Sequence, residues 1–201
     1  MLKYCKTLIS RIDRESFRKT YEYMCAERQR KVDSLKIELM RQQTLAGELT
    51  ARKLIADVWG LSQGKITIAN DSKGKPYVEG HPGIHLSIAH SGGTVAVAVA
   101  DMPIGIDAEE IRPMKLKLAS RFCLDEEIEY IFGHLPSEEE LCSIGKGETL
   151  KRFLEIWTLK EAYFKCIGTG ITDPKSINVL GGDIKKTDLS DENAVVNIVT
   201  L

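Results

Sequence analysis

Two acidic residues follow an apolar stretch in Gly105-Ile106-Asp107-Ala108-Glu109. Residues two apart in a strand point to the same side, so Asp107 and Glu109 are predicted to converge at a strand end. Carboxylate oxygens are the ligands that a hard cation such as Mg²⁺ prefers. A polar turn after a buried strand would give the same pattern, so spacing alone leaves both interpretations open.

A second charged pair lies in the segment Trp157-Thr-Leu-Lys-Glu-Ala-Tyr-Phe-Lys165, where Glu161 and Lys165 are four residues apart. On a helix these two residues share a face. A surface ion pair, contributing about 0.3–0.5 kcal/mol, is the simpler interpretation. Trp157 lies one turn earlier on the same stripe and indicates partial burial, where a carboxylate and an ammonium group need a reason to be present.

Several basic side chains are candidates for binding an anion. His90 lies on the apolar face of a predicted strand, where a structural histidine is as good an interpretation. A lysine between glycine and proline fits an exposed turn, and a short basic cluster fits a solvated helix face or a phosphate clamp. These last candidates are Lys75 and the cluster Arg28, Arg30 and Lys31.

Composition limits the class of protein. The 201 residues include 28 Lys and Arg against 29 Asp and Glu, so the net charge is −1. This balance argues against a general nucleic-acid or membrane-surface binder, because both need a large positive field. Five cysteines without a C-x-x-C pair argue against a zinc site or a disulfide framework. With no apolar stretch of membrane-spanning length, we expect a cytoplasmic protein.

Periodicity predicts helices followed by strands, twice. The first half should contain a helix over residues 34–59, capped by Asp33 or Ser34 and ended by Gly60, then strands over 65–69, 85–90, 95–99 and 104–107. A Gly92-Gly93 hairpin should join two of them. The second half should contain helices over 116–122, 125–132 and 150–167, an exposed loop over 136–147, and strands over 177–180 and 195–199. The prediction is an α+β chain with halves 1–102 and 103–201.

The combination of these motifs resembles the two-halved phosphopantetheinyl transferases that serve peptide and polyketide synthetases (the surfactin-synthetase type). The segments that carry the resemblance cover about residues 25–180. They are Gly74-Lys75-Pro76, Leu86-Ser-Ile-Ala-His90-Ser91, Ile104-Gly-Ile-Asp107-Ala-Glu109, and Trp157-x-x-Lys160-Glu161-Ala162-x-x-Lys165 with Gly168-x-Gly170 after it, together with Arg28, Lys31 and Thr44-Leu45-Ala46-Gly47.

The resemblance implies roles for these residues. Magnesium, or manganese, would be bound by Asp107, Glu109 and Glu161 with the pyrophosphate of coenzyme A, and Glu161 would also take the proton from a carrier serine. Lys165 would contact the pyrophosphate. The 3′-phosphate would be held by His90, Arg28 and Lys31, with Thr44 beside that nucleotide and Lys75 by the adenosine phosphates.

The resemblance also implies a pseudo-two-fold α+β fold, with coenzyme A in the cleft between the halves and an apo acyl or peptidyl carrier protein as acceptor. With both halves in one chain, a monomer is expected. Three departures from the family pattern stand out. Gln43 replaces an arginine that contacts the nucleotide, Ala89 replaces a serine near the phosphates, and the second half is expected to lack a closing strand after residue 199.

Two other functions remain open at this stage. A magnesium-dependent phosphohydrolase would use the same three carboxylates to activate water. A degenerate coenzyme A or carrier-binding module would have lost the chemistry. The choice among fatty-acid, peptide and polyketide carriers is also open.

Overall fold

The computed structural model describes residues 1–182 and 184–201, and its helices and antiparallel strands confirm the α+β class. The helices are α1 (Arg14–Tyr23), α2 (Ala26–Ser34), α3 (Glu38–Trp59), α4 (Ala119–Phe122), α5 (Asp125–Phe132), α6 (Glu138–Cys142) and α7 (Gly147–Ile167). The strands are β1 (Leu2–Leu8), β2 (Ile68–Asn70), β3 (Pro76–Val78), β4 (His85–Ser91), β5 (Thr94–Ala100), β6 (Ile104–Glu110), β7 (Met114–Lys115), β8 (Ile144–Gly145), β9 (Lys185–Asp188) and β10 (Ala194–Thr200).

The first sheet has five antiparallel strands in the order β1-β5-β4-β3-β2, and the long helix α3 packs on it. Strand β5 shows why the sheet has two buried faces. Val95, Val97 and Val99 pack into the core under α3, whereas the alanines between them point to the opposite side. This alternation follows from the two-residue period of a strand.

The second sheet has three antiparallel strands in the order β6-β10-β9, with α7 packed on β6 and β10. Its connectivity repeats that of the first sheet. In each case an opening strand pairs with the last strand of the unit, β1 with β5 and β6 with β10, and the long helix lies between them in the chain. This repetition agrees with the predicted pseudo-two-fold arrangement. The boundary at residue 102 and the missing final strand stay predictions.

The two sheets meet through small side chains. The alanine face of β5 and Ala89 of β4 pack with Ile104, Ile106 and Val196 in a buried cluster shared by both sheets. Two hydroxyl groups of β4 join the sheets directly: Ser87 Oγ accepts from Ile106 N at 3.1 Å, and Ser91 Oγ accepts from Glu110 N at 3.0 Å. Strand β6 is thereby fixed beside β4.

Several predicted elements are wrong. The helix predicted over residues 34–59 begins only at Glu38, and the predicted cap residues Asp33 and Ser34 lie at the end of α2 instead. The Ser34 hydroxyl donates to Lys31 O, and Arg41 Nε donates to Leu35 O. Side-chain bonds of this kind compete with helix continuation. The predicted end is right, since Gly60 terminates α3 at φ 66°.

Two predicted strands and one predicted loop also differ from the structure. Residues 177–180 are not a strand, since Val179 N donates to Glu127 Oε1 and Leu180 N to Asn178 Oδ1 rather than to a neighbouring strand. The strand predicted over residues 65–69 begins only at Ile68, after a 3-10 turn at Gln63–Lys65. The predicted loop over residues 136–147 contains α6, which Ser137 and Glu140 open as a capping box. Strands β1 and β9 were not predicted.

Candidate active site

Two neighbouring cavities share Gly74, Pro76 and Ile88 and form one cleft. The larger measures about 290 Å³ and the smaller about 140 Å³. The larger is lined by Lys73, Gly74, Lys75, Pro76, Ser87, Ile88, Glu161, Phe164, Lys165, Gly168, Gly170 and Ile171. The smaller is lined by Arg28, Lys31, Gln43, Thr44, Asn70, Gly74, Pro76, Ile88 and His90.

Most of the predicted site residues line this cleft, and they are divided between its two ends. Lys75, Glu161 and Lys165 line the larger cavity, and we call their region, with the adjoining Asp107 and Glu109, the acidic end. The candidates for the 3′-phosphate line the smaller cavity, which we call the basic end: Arg28, Lys31, Thr44 and His90. Asp107 and Glu109 line neither cavity directly, and Arg30 is exposed outside both.

Close packing of α7 on β6 builds the acidic end. A Cβ atom on Gly105 would lie 1.8 Å from the Ala162 carbonyl oxygen, so glycine is required for the helix to lie directly on the strand. Lys165 Nζ consequently reaches Asp107 Oδ1 at 2.7 Å and Ile106 O at 3.2 Å. Trp157, one turn before Glu161, stacks on Phe122 of α4 with ring centroids 4.2 Å apart and packs the helix against α4.

Two of the three acidic residues have protein partners. Asp107 is paired with Lys165, and Glu109 Oε2 accepts from the Ser91 hydroxyl at 2.9 Å. As these side chains stand, no three His, Cys, Asp or Glu residues among 1–182 and 184–201 form a group able to hold a metal ion. The three predicted ligands, Asp107, Glu109 and Glu161, therefore lie in the same region, but the protein alone does not arrange them as a metal site.

The electrostatics of this end indicate excess negative charge. Burial raises the pKa of Asp107, and the neighbouring Glu109 raises it further, although the ammonium of Lys165 opposes the shift. Burial also raises the pKa of Glu161 to about 7, with the charges of Asp107 and Glu109 contributing. Desolvation and like charge both disfavour the ionised carboxylate. A bound cation would reverse both effects.

One unsatisfied atom fits a cation here. Asp107 Oδ2 is buried and has no hydrogen-bond partner among the described residues. Buried carboxylate oxygens are normally paired, and an orphan is a candidate ligand atom. The oxygen-only donor set of Asp107, Glu109 and Glu161 also suits Mg²⁺ or Mn²⁺ in preference to softer metals. The residues therefore fit a hard divalent cation.

The basic end depends on a buried charge network. Glu48 of α3 is fully buried and forms ion pairs with Arg28 Nε at 2.8 Å and Arg52 Nη2 at 2.7 Å; the first lacks hydrogen-bond geometry. Arg28 also donates to Asn70 Oδ1. Arg52, itself fully buried, donates to the carbonyls of Tyr23, Gln63 and Ile66. The guanidinium of Arg28 is thus held at the wall of the smaller cavity rather than free at a surface.

His90 and Lys31 complete this end at its exposed side. Partial desolvation of the His90 ring lowers the pKa of this histidine, although the side chain is still exposed. The positive charges of Lys165 and Lys31 lower the pKa further. The influence of Lys165 places the two ends within electrostatic range of each other. Thr44 is half-buried, and its hydroxyl donates to Met40 O at 2.9 Å.

Lys75 bridges the two halves at the larger cavity. Its Nζ donates at 2.8 Å to Cys166 O, one of the last carbonyls of α7. Carbonyls at a helix C-terminus lack intrahelical partners and attract cations. Burial lowers the pKa of Lys75. The simpler interpretation of an exposed turn lysine is therefore wrong, since Lys75 is half-buried and bonded to the other half.

The structure also places the residues that depart from the family pattern. Gln43 is buried at the smaller cavity and donates to Gly92 O at 2.8 Å, so it anchors the β4–β5 hairpin. Ala89 lies in the cluster between the sheets and lines neither cavity. Sequence reasoning missed Ser91 as a partner of Glu109, and Asn70 as a partner of Arg28. The four-residue spacing of Ser87 and Ser91, which places both on the same face of β4, was the available signal for Ser91.

Comparison with known proteins gives two family matches. A model described as "4'-phosphopantetheinyl transferase, N-terminal" matches residues 12–102, and one described as "4'-phosphopantetheinyl transferase superfamily" matches residues 103–196. No described helix is long and apolar enough to cross a membrane.

Curated relatives bear the same name. The 4'-phosphopantetheinyl transferase psf-1 of Bacillus pumilus is 30% identical over 80% of this chain and 66% of its own length. The 4'-phosphopantetheinyl transferase Sfp of Bacillus subtilis (strain 168) is 32% identical over 66% of this chain and 54% of its own. The chain spans about half to two thirds of the length of these relatives.

A crystal structure of a holo-(acyl-carrier-protein) synthase from Bacillus anthracis str. Ames in complex with CoA (3',5'-ADP) has a TM-score of 0.41 and 21% identity, covering 49% of this chain and 91% of that one. A likeness at that level supports no conclusion. The two family models together match residues 12–196. The chain therefore belongs to the 4'-phosphopantetheinyl transferase superfamily, surfactin-synthetase type.

Proposed function

We propose that this protein transfers the 4'-phosphopantetheine group of coenzyme A to a serine of an apo acyl or peptidyl carrier protein, releasing adenosine 3',5'-bisphosphate. The observation that carries the proposal is the cleft itself. One end holds three carboxylates with an unpaired Asp107 oxygen, and the other end holds a fixed arginine with a lysine and a histidine. A pyrophosphate flanked by a second phosphate is the kind of ligand that needs both ends.

Coenzyme A would lie along the cleft. In this proposal its 3′-phosphate contacts Arg28, Lys31 and His90, with Thr44 beside the nucleotide. Planar guanidinium donors recognise phosphate oxygens well, and Glu48 presets the orientation of Arg28. Lys165 and Lys75 would contact the pyrophosphate from the larger cavity, which both side chains line. Each contact adds positive charge where the ligand is negative.

A magnesium or manganese ion would be held by Asp107, Glu109 and Glu161. When bound, it would neutralise charge on the pyrophosphate oxygens. The raised pKa values of Asp107 and Glu161 support this assignment, because carboxylates crowded into a buried site favour a cation there. Lys165 would then exchange its present bond with Asp107 for the pyrophosphate.

The reaction needs no covalent protein intermediate. The carrier serine oxygen forms a bond to the pantetheine-side phosphorus, and the bond from that phosphorus to the bridging pyrophosphate oxygen breaks. The serine proton passes to Glu161, directly or through water, and adenosine 3',5'-bisphosphate leaves with the bridging oxygen. Glu161 suits this role because its carboxylate lines the larger cavity, where a positioned side-chain base can take the serine proton. Phosphoryl transfer otherwise depends on positioning and charge stabilisation.

Both ends of the cleft come from one chain, which supports a monomer. The half 1–102 supplies Arg28, Lys31, Thr44, Lys75 and His90, and the half 103–201 supplies the three carboxylates and Lys165. Light scattering during size-exclusion chromatography tests this. An obligate dimer would contradict the monomer without affecting the chemistry.

Product analysis tests the function. The protein is incubated with coenzyme A and magnesium, with and without an apo carrier protein, and intact masses are measured. Transfer predicts a carrier mass gain of one phosphopantetheine and an equal amount of adenosine 3',5'-bisphosphate. Release of nucleotide without a carrier would instead support a phosphohydrolase, and coenzyme A binding without turnover would support a binding module.

A further inference from the structure

The motif Trp157-x-x-Lys160-Glu161 contains a charged residue for which the proposed chemistry has no use. Lys160 is fully buried, and so is its ion-pair partner Glu127 of α5, at 2.9 Å. Lys160 Nζ also donates to Pro174 O at 2.7 Å and to Ile177 O at 2.6 Å. A lysine has three N–H donors, and here all three have an acceptor. Burying an ammonium group costs free energy unless the group is fully paired. The complete pairing of Lys160 therefore indicates a structural role.

The partners of Lys160 show what it holds. Pro174 and Ile177 belong to the segment that follows α7, and Glu127 Oε1 additionally accepts from Val179 N at 3.0 Å. The lysine and the glutamate therefore fasten residues 174–179 to α7 and α5. Among the described residues, this segment has no ladder bond to a sheet strand.

The fastened segment is continuous with the wall of the cleft. Helix α7 ends at Gly168, which has φ 71°, and Gly170 has φ 68°, so the chain turns sharply there. Gly168, Gly170 and Ile171 line the larger cavity. This short stretch, residues 168–173, is held at one end by the helix and at the other by Lys160. We call it the wall loop.

We infer that Lys160, with Glu127, is a positioning residue that sets the wall loop against coenzyme A in the larger cavity. The inference rests on the proposed function for the identity of the ligand. Lys160 touches no reacting atom, and its neighbour Glu161 points into the cavity while Lys160 points to Glu127. The motif thus combines a residue for chemistry with a residue for the shape of the site.

The expected effect is on coenzyme A binding rather than on the chemical step. The wall loop would contact the ligand equally in the ground and transition states, and losing such uniform binding raises KM while kcat stays close to its original value. Losing two bonds that orient the loop should raise KM for coenzyme A roughly tenfold, the equivalent of about one such hydrogen bond to a charged group.

The test uses a double variant, because Lys160→Met alone would leave Glu127 buried without its cation. The Lys160→Met/Glu127→Gln protein removes both charges of this buried pair, yet it still lacks the lysine donor for Pro174 O and Ile177 O. Lys151→Met on the exposed side of α7 is the matched control. Steady-state kinetics with an apo carrier should show KM for coenzyme A raised about tenfold and kcat changed less than about twofold in the double variant.

Hydrogen exchange gives a second measurement that does not depend on transfer. Amides of the ligand-free double variant should exchange faster over residues 168–179 than in the Lys151→Met protein, with α3 unchanged. Unaltered exchange there, or unaltered KM for coenzyme A, would overturn the positioning role. If the unmodified protein shows no transfer at all, the proposed function fails, and coenzyme A affinity measured by calorimetry takes the place of KM.

Discussion

The two ends of the cleft carry opposite charge and are built in different ways. At the acidic end, the carboxylates come from a strand and a helix in direct backbone contact at Gly105, and Asp107 is buried with an orphan oxygen. Of the three basic side chains at the basic end, Arg28 is buried, whereas Lys31 and His90 are exposed on separate elements. From this difference we infer that the acidic end serves the reaction and the basic end serves recognition of the ligand.

This contrast predicts different kinetic consequences for the two ends. Changes at the acidic end should act on rate even when coenzyme A is saturating. Changes at the basic end should act on affinity for coenzyme A, and most on the share of affinity that the 3′-phosphate supplies.

The largest expected effect is that of Glu161→Gln. Loss of the proton acceptor should lower kcat at saturating coenzyme A by about 10²–10⁴-fold, with any lost metal affinity added to this. The assay is the timed mass gain of phosphopantetheine on an apo carrier, with magnesium in excess. Glu148→Gln, on the exposed first turn of the same helix, is the control. A Glu161→Gln rate within a few-fold of the original would remove the distinction between the ends.

The second prediction concerns the cation. Magnesium at about one hundred times its Kd should stabilise the protein by about 2.7 kcal/mol, since binding to the native state alone shifts unfolding by mass action. Thermal melts in the presence of coenzyme A, with and without magnesium, measure this. Asp107→Asn should abolish the magnesium-dependent rise in Tm, whereas Asp57→Asn on α3 should keep it. An equal rise in both variants would place the cation elsewhere.

The third prediction tests recognition at the basic end. His90→Ala should weaken binding of coenzyme A by about tenfold or more, the usual effect of one charge-assisted hydrogen bond, and leave dephospho-coenzyme A nearly unaffected. Calorimetry with both ligands measures the difference, and His81→Ala is the control. Equal losses for the two ligands would return His90 to a structural role.

The pH dependence of the difference in affinity between coenzyme A and dephospho-coenzyme A gives a further test of His90. The pKa of His90 is lowered in the free protein, so the ring is neutral over more of the physiological range. Since a phosphate favours the protonated ring, the preference for coenzyme A over dephospho-coenzyme A should increase as pH falls through the range just above the titration of His90. In His90→Ala that part of the pH dependence should disappear.

The sequence predicts the members of the cleft better than it predicts their bonds. The spacing of Asp107 and Glu109 and of Glu161 and Lys165 is a local property of one strand and one helix. By contrast, the bond from Lys165 to Asp107 depends on contact at Gly105, and Lys160 binds backbone carbonyls that leave no mark in a sequence. Edge strands β1 and β9 were missed because their lysines, which discourage pairing with other chains, obscure the alternation.

The smallest expected effect lies outside the cleft, where the two halves meet through a surface pair. Lys6 of β1 donates to Leu189 O and pairs with Asp191 at 2.7 Å. The Lys6 ammonium, helped by the amides of Asn193 and Ala194, lowers the pKa of Asp191 from 3.8 to about 2. A carboxyl whose pKa is depressed by folding stabilises the native state above its unfolded pKa, and that contribution is lost as pH falls from about 4 towards 2.

Asp191→Asn should therefore reduce stability slightly at pH 7 and flatten the loss of stability between about pH 4 and pH 2. Because the pair is half exposed, solvent screens it and the effect should stay below about 1 kcal/mol. Urea unfolding at pH 7 and at pH 3 measures the difference, with Glu192→Gln on the same turn as the control. Rate and coenzyme A affinity should not change. A loss of activity in Asp191→Asn would mean that contacts between the halves, and not the two ends alone, set the geometry of the cleft.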